Sequence, residues 1–156
     1  MRYTRDKAQQ ITNIFTQGGD DQRPLAQHIE YVPFGPFRAL SYGNGLQTFR
    51  DRDLDYRLQT VQVTGNGAET LNLSYGYDAL NNIEHILMPL SNRSQHFSYD
   101  TRDRLTQASG PFGQREFTYD ANGNRETRRA FLNDNLEFEE LLSYDPLSNR
   151  LDSLIK

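Results

Sequence analysis

Residues with high strand preference (Val, Ile, Thr, Tyr, Phe) fall along the chain in runs of six to eight. Clusters with turn chemistry separate them: "TGNGA" (64–68), "MPLSN" (88–92), "SGPFG" (109–113) and "LNDN" (132–135). Phe97 and Tyr99, Phe117 and Tyr119, and Tyr75 and Tyr77 are each two apart, so both rings of a pair project from one face of a strand. A ladder of aromatics along one face is expected, each cross-strand pair adding about 0.2 to 1 kcal/mol. No long stretch keeps a 3.6-residue period. The best helical candidate, "DNLEFEELLSY" (134–144), has alternating Leu136, Phe138, Leu142 and Tyr144 and reads as a strand.

The aromatic positions repeat. "FTYDANGNR" (117–125), "FSYDTRDRL" (97–105), "SYGYDALNNI" (74–83) and "LSYDPLSNRL" (142–151) share Tyr-Asp, three turn-like residues, then Asn or Arg. Weaker copies are "YTRDKAQQI" (3–11), "RDRDLDYRL" (50–58) and "IEYVPFGPF" (29–37), with Arg5 and Arg52 in the Tyr place and Val32 in the Asp place. The Asp positions, 6, 32, 53, 78, 100, 120 and 145, are 20 to 26 residues apart. Each unit is therefore expected to be two strands and two turns, and the repeat runs through residues 1–156 as one domain.

An Asp opening a tight turn accepts hydrogen bonds from backbone N–H groups two residues on. This gives Asp78, Asp100, Asp120 and Asp145 a structural role. Gly123 permits a positive φ, and Asn82, Asn122, Asn124 and Asn149 tolerate the same region. Tyr77, Tyr99, Tyr119 and Tyr144 are expected to bury their rings at strand ends while the hydroxyls find polar partners.

Composition narrows the function. The 156 residues are 35% hydrophobic, enough to bury a core if suitably arranged. A net charge of -4 without a basic stripe gives no reason to expect nucleic acid as a partner, and no window approaches the roughly 20 apolar residues of a membrane span. The absence of cysteine removes disulfides and thiolate chemistry. Asp120, Asn122 and Asn124 have the first spacings of a calcium loop, yet Gly123 and Phe131 stand in the wrong places for one. His28, His85 and His96 lack metal-ligand spacing, and Glu137 and Glu139 read as one solvated strand face. Neither a metal nor another cofactor is expected, and no nucleophile is paired with a base, so catalysis is not expected. Arg125, Arg128 and Arg129 in "RETRR" form a basic cluster, a candidate contact for a sugar, phosphate or partner.

The phrases "YDANGNR", "YDTRDRL" and "YDPLSNRL", with "PFGPFRALSYGNGL" (33–46) and "DLDYRL" (53–58), resemble the YD repeats of the Rhs family, which includes polymorphic toxins, toxin-complex shell subunits and the teneurin YD shell. The resemblance implies an all-β fold, an antiparallel β-hairpin strip of about seven YD repeats, curved or wound as a segment of an Rhs-type shell. It also implies a non-catalytic role in encapsulating or presenting a toxin. Family toxins follow the repeats with a self-cleaving Asp-Pro-x-Gly core; here Asp145-Pro146 has no such Gly, and neither core nor toxin is expected within the chain. The expected partners are further copies or other YD-repeat segments at the strip's open edges, with toxin as cargo. A carbohydrate or cell-surface recognition module, using the aromatic faces, is the second reading.

Overall fold

The computed structural model describes residues 1–16 and 23–156. Among these every regular element is a strand: β1 (Arg2–Arg5), β2 (Ile11–Phe15), β3 (Pro24–Tyr31), β4 (Phe37–Tyr42), β5 (Gln47–Arg52), β6 (Leu58–Gly65) and β7 (Ala68–Tyr77). The remainder are β8 (Ile83–Leu87), β9 (Gln95–Tyr99), β10 (Leu105–Gly110), β11 (Gly113–Tyr119), β12 (Arg125–Leu132), β13 (Asn135–Tyr144) and β14 (Leu151–Ile155). The chain forms two compact units, Met1–Tyr75 with Met88–Leu90, and Gly76–Leu87 with Ser91–Lys156. Within each unit strand order follows chain order, and neighbouring strands pair antiparallel.

Two kinds of turn make the hairpins. The short ones follow the Asn and Gly clusters: Gly65 pairs with Ala68 across Asn66 (φ 52) and Gly67 (φ 78), and Leu132 pairs with Asn135 across Asn133 (φ 49) and Asp134 (φ 63). Positive φ at both central residues matches the right-handed twist of the flanking strands. The Tyr-Asp segments make the longer turns, and there the register slips, between Thr118 and Tyr119 or Ser143 and Tyr144, for example. Each slip lies just beyond the turn, where one extra residue, Glu126 or Asp152, is absorbed in the returning strand as a bulge.

Burial is thin. The buried hydrophobic residues are Ala26, Ile29, Ala39, Ala108 and Ala130, and no large side chain is fully buried among the described residues. Cross-strand register explains the alanines. Phe97, Ala108, Arg115, Ala130 and Phe138 form one row across five strands, so small residues alternate with large ones that cover them. Ala130 is 0% exposed at the centre of the three residues Arg115, Ala130 and Phe138.

This register corrects two expectations. The rings form no continuous ladder: Phe97 faces Ala108, and Phe117 faces Arg128. Arginine sits between aromatics instead, with Arg128 4.9 Å from the Phe138 ring centroid and Arg104 4.7 Å from that of Tyr119. Residues 134–144 do contain a strand, yet Leu136 and Phe138 lie on opposite faces. They pair with the adjacent residues Phe131 and Ala130, because a bulge absorbs Glu137.

Candidate functional site

The candidate site in each unit is its set of Tyr-Asp or Arg-Asp turns. In five of them the Asp N–H donates to the carbonyl four residues on: Asp6 to Gln10 (3.0 Å), Asp53 to Arg57 (2.9 Å), Asp78 to Asn82 (3.0 Å), Asp100 to Arg104 (2.9 Å) and Asp120 to Asn124 (2.9 Å). The residue three after the Asp donates back to the Asp carbonyl and has positive φ: Gln9 (64), Tyr56 (62), Asn81 (72), Asp103 (59) and Gly123 (94). The left-handed place is therefore one residue earlier than Asn82 and Asn124, and Asn122 does not occupy it either. Asn149 does, at φ 54, because the last turn is one residue longer, with Asp145 donating to Arg150.

The carboxylate ties the turn together. Its Oδ1 accepts N–H groups two and four residues on: Leu80 and Asn82 at Asp78, both 2.9 Å, and Arg102 (2.9 Å) and Arg104 (3.0 Å) at Asp100. Asp6 and Asp53 do the same. The other oxygen, Oδ2, accepts the side chain four residues on: Arg57 Nε (2.7 Å), Asn82 Nδ2 (3.1 Å), Arg104 Nε (2.7 Å) and Asn124 Nδ2 (2.8 Å). Arg and Asn share what this place needs, a planar N–H at short reach. At Asp145 the Ser148 hydroxyl donates to Oδ2 instead (2.9 Å).

These bonds set the acidity of the carboxyls. Burial is the largest single influence on Asp53, Asp78 and Asp100 and raises their pKa, but the bonds together outweigh it: those from Arg57 and Asp55 at Asp53, from Asn82 and Leu80 at Asp78, and from Arg104 and Arg102 at Asp100. The Asn124 side chain leads at Asp120 and the Leu147 N–H at Asp145, and all five groups end below the ordinary 3.8. Asp120 is thus an ionised acceptor inside its own turn, and Asn122 and Asn124 both donate to Asn149 Oδ1 (3.0 and 3.2 Å).

Within each unit, tyrosines link one strand to the strand before it. Tyr31, Tyr99, Tyr119 and Tyr144 donate their hydroxyls to the carbonyls of Ile11 (3.0 Å), Ile83 (3.0 Å), Leu105 (2.8 Å) and Arg125 (3.1 Å). Each acceptor is the first residue of the strand before. Burial, then the charge of Asp78, raises the Tyr99 pKa, keeping that hydroxyl a donor. Tyr77 stands at the end of β7 beside Asp78. Where arginine takes the Tyr place it turns inward, Arg5 Nη1 to the Gln9 carbonyl (2.6 Å) and Arg52 Nη1 to that of Tyr56 (3.1 Å).

In the second unit the turns also bond each other. Asn82 Nδ2 donates to Asp103 (2.9 Å), Arg102 Nη1 to the Ala121 carbonyl (2.7 Å) and Arg104 Nη1 to the Asp120 carbonyl (2.9 Å). The basic cluster divides between faces. Arg125 and Arg128 share the face of Phe117 and Phe138, while Arg129 pairs with Glu139 at 2.6 Å on the other. His85 and His96, eleven residues apart, meet as cross-strand partners with ring centroids 6.2 Å apart. Only the hairpin register, unreadable from spacing, brings them together. The link between each Tyr and the preceding strand also escaped the sequence reading, although the constant Tyr-Asp pairing was its signal.

Solved structures of similar fold belong to toxin complexes. A TcdB2–TccC3–Cdc42 structure matches with a TM-score of 0.84 at 18% identity, over 96% of this chain and 9% of the other. A Photorhabdus luminescens Tc holotoxin pore with a mutated TccC3 matches at 0.86 and 18%, over 97% of this chain and 9% of the other. The chain thus spans a small fraction of those it resembles. No curated protein matches it in sequence. The teneurin YD-shell family profile matches residues 39–148, most of the chain. The turns, the strand order and this match agree, and the chain belongs to the teneurin YD-shell family.

Proposed function

We propose that this structural shell module forms part of a β-sheet wall that encapsulates or presents a toxin, and that it does so by pairing with further repeats or with copies of itself. Residues 1–156 then act as one repeat domain without catalysis. The observation that carries this reading is the lack of any fully buried large side chain among the described residues. A strip of this kind draws its stability from strand neighbours more than from a core, and its outer strands gain by acquiring neighbours. Every residue of β14 is exposed, with Ile155 at 61%. The similar structures support the toxin context, since they are of toxin complexes.

Sedimentation combined with hydrogen exchange tests the pairing. Association, or slow-exchanging amides in β1 and β14 only when further repeats are added, is the expected result. A strictly monomeric particle whose terminal strands are already protected overturns it.

A further inference from the structure

The adjacent turns at 32–36 and 53–57 in the first unit are joined by a long contact, Tyr56 Oη donating to the Pro33 carbonyl at 3.5 Å. Val32 has no carboxylate, and Pro36, four residues on, has no N–H to offer one. A cavity of about 360 Å³ opens between these turns and β5.

Arg50 and Arg52 lie two apart on β5 and share a face. Their cross-strand partners are apolar, Val61 and Leu58. The Nε of each arginine is buried without a hydrogen-bond partner. Arg52 uses Nη1 on the Tyr56 carbonyl, and the Arg50 guanidinium lies 4.3 Å from the Phe37 ring centroid. These Nε atoms are closed to solvent, so the terminal guanidinium nitrogens are the donors that the two side chains can offer to the cavity they line.

The charges lining the cavity indicate what it can hold. Asp53 is held by Arg57 at 2.7 Å, and Asp51, on the other face of β5, pairs with Arg38 at 3.4 Å. With Asp51 and Asp53 so paired, Arg50 and Arg52 are the lining cations left without a carboxylate, and they suit an anion. Tyr31, Pro33, Leu54 and Tyr56 supply apolar walls. We propose that this cavity binds a carboxylate carried on an apolar or aromatic group, with Arg50 and Arg52 donating to it. The carboxylate is either an acidic side chain of a polypeptide or a free small acid. The site is independent of the shell reading, because no part of its test depends on assembly.

Amide chemical shifts of the full chain are followed on adding 3-phenylpropionate, 3-phenylpropanamide, inorganic phosphate, or an end-capped peptide with one glutamate between two phenylalanines. The acid is expected to shift residues 31–33 and 50–56, and the amide to bind at least about tenfold more weakly. Arg50→Gln and Arg52→Gln should each weaken the acid about tenfold. Binding by the capped peptide at the same residues assigns a polypeptide source, and binding by the free acid alone a small-molecule one. Equal binding of acid and amide, tighter binding of phosphate, or no binding by either carboxylate probe overturns the proposal. The wild-type shift map decides the matter even if a variant fails to fold.

Discussion

The turns at 6–10 and 100–104 contain the same internal bonds and differ in what leaves them. In both, Asp Oδ1 accepts two N–H groups and the backbone closes at four residues. At 6–10 the residue before the Asp is Arg5, which bonds its own turn, and Gln10 stands where the other turn has arginine. At 100–104 Tyr99 reaches the Ile83 carbonyl, Arg104 bridges Asp100 and the Asp120 carbonyl, and Asp103 receives Asn82. The carboxylate makes a turn. Tyr and the Arg or Asn four residues after the Asp make a row of turns.

Removing the carboxylate from each is the strongest way to break that distinction. Asp100→Ala should lower the melting temperature by several degrees and speed amide exchange in both 100–104 and 120–124, since Arg104 loses its anchor. Asp6→Ala should loosen 6–10 alone. Equal and local effects would show that the bonds between turns carry no coupling.

Acid provides the next test. Asp53, Asp78, Asp100, Asp120 and Asp145 all have carboxyl pKa values lowered by folding. Their contribution is present above the ordinary 3.8 and is lost as pH falls through the lower folded values. Urea unfolding midpoints should therefore be flat near neutrality and drop below about pH 4. Asp100→Asn should make that drop shallower.

How much of this could be read from sequence follows from the range of each interaction. Turn positions, strand class and the family resemblance depend on neighbours within five residues, and Tyr-Asp followed by Asn or Arg displays them directly. The partner of Tyr119 is the carbonyl of Leu105, a backbone group with no side-chain signature. The face of Leu136 depends on a bulge at Glu137 that shifts the period by one, and no residue type announces it. The cavity beside Arg50 and Arg52 is lined from two turns and β5, so it emerges only once the strands are paired.

Removing one hydroxyl should have a smaller effect than removing a carboxylate. Tyr119→Phe and Tyr144→Phe keep the ring and lose the bond to Leu105 or Arg125, which should cost about 1 kcal/mol each in urea unfolding. Tyr42→Phe should cost less, because that residue opens a turn of the same backbone form at 42–46 without the Tyr-Asp pair. Equal losses at Tyr42 and Tyr119 would mean that the hydroxyl bond to the previous strand adds nothing.

The smallest effect is expected from asparagine in place of Gly123, the one glycine among the five left-handed turn residues. Its φ of 94 invites the conclusion that only glycine fits, yet a Cβ there would meet nothing within 4 Å. Asn81 and Asp103 occupy the same place in sister turns at φ 72 and 59. Asparagine tolerates this region better than other L-residues, so Gly123→Asn should change stability by no more than about 0.5 kcal/mol, with a smaller loss of unfolded-state freedom partly offsetting any strain. Gly123→Val, which has the same open space but a branched Cβ, should cost more, about 1 to 2 kcal/mol. A large loss with asparagine would show that the Asp120 turn needs a backbone that its sisters do not, and that the repeats are less interchangeable than their shared bonds imply.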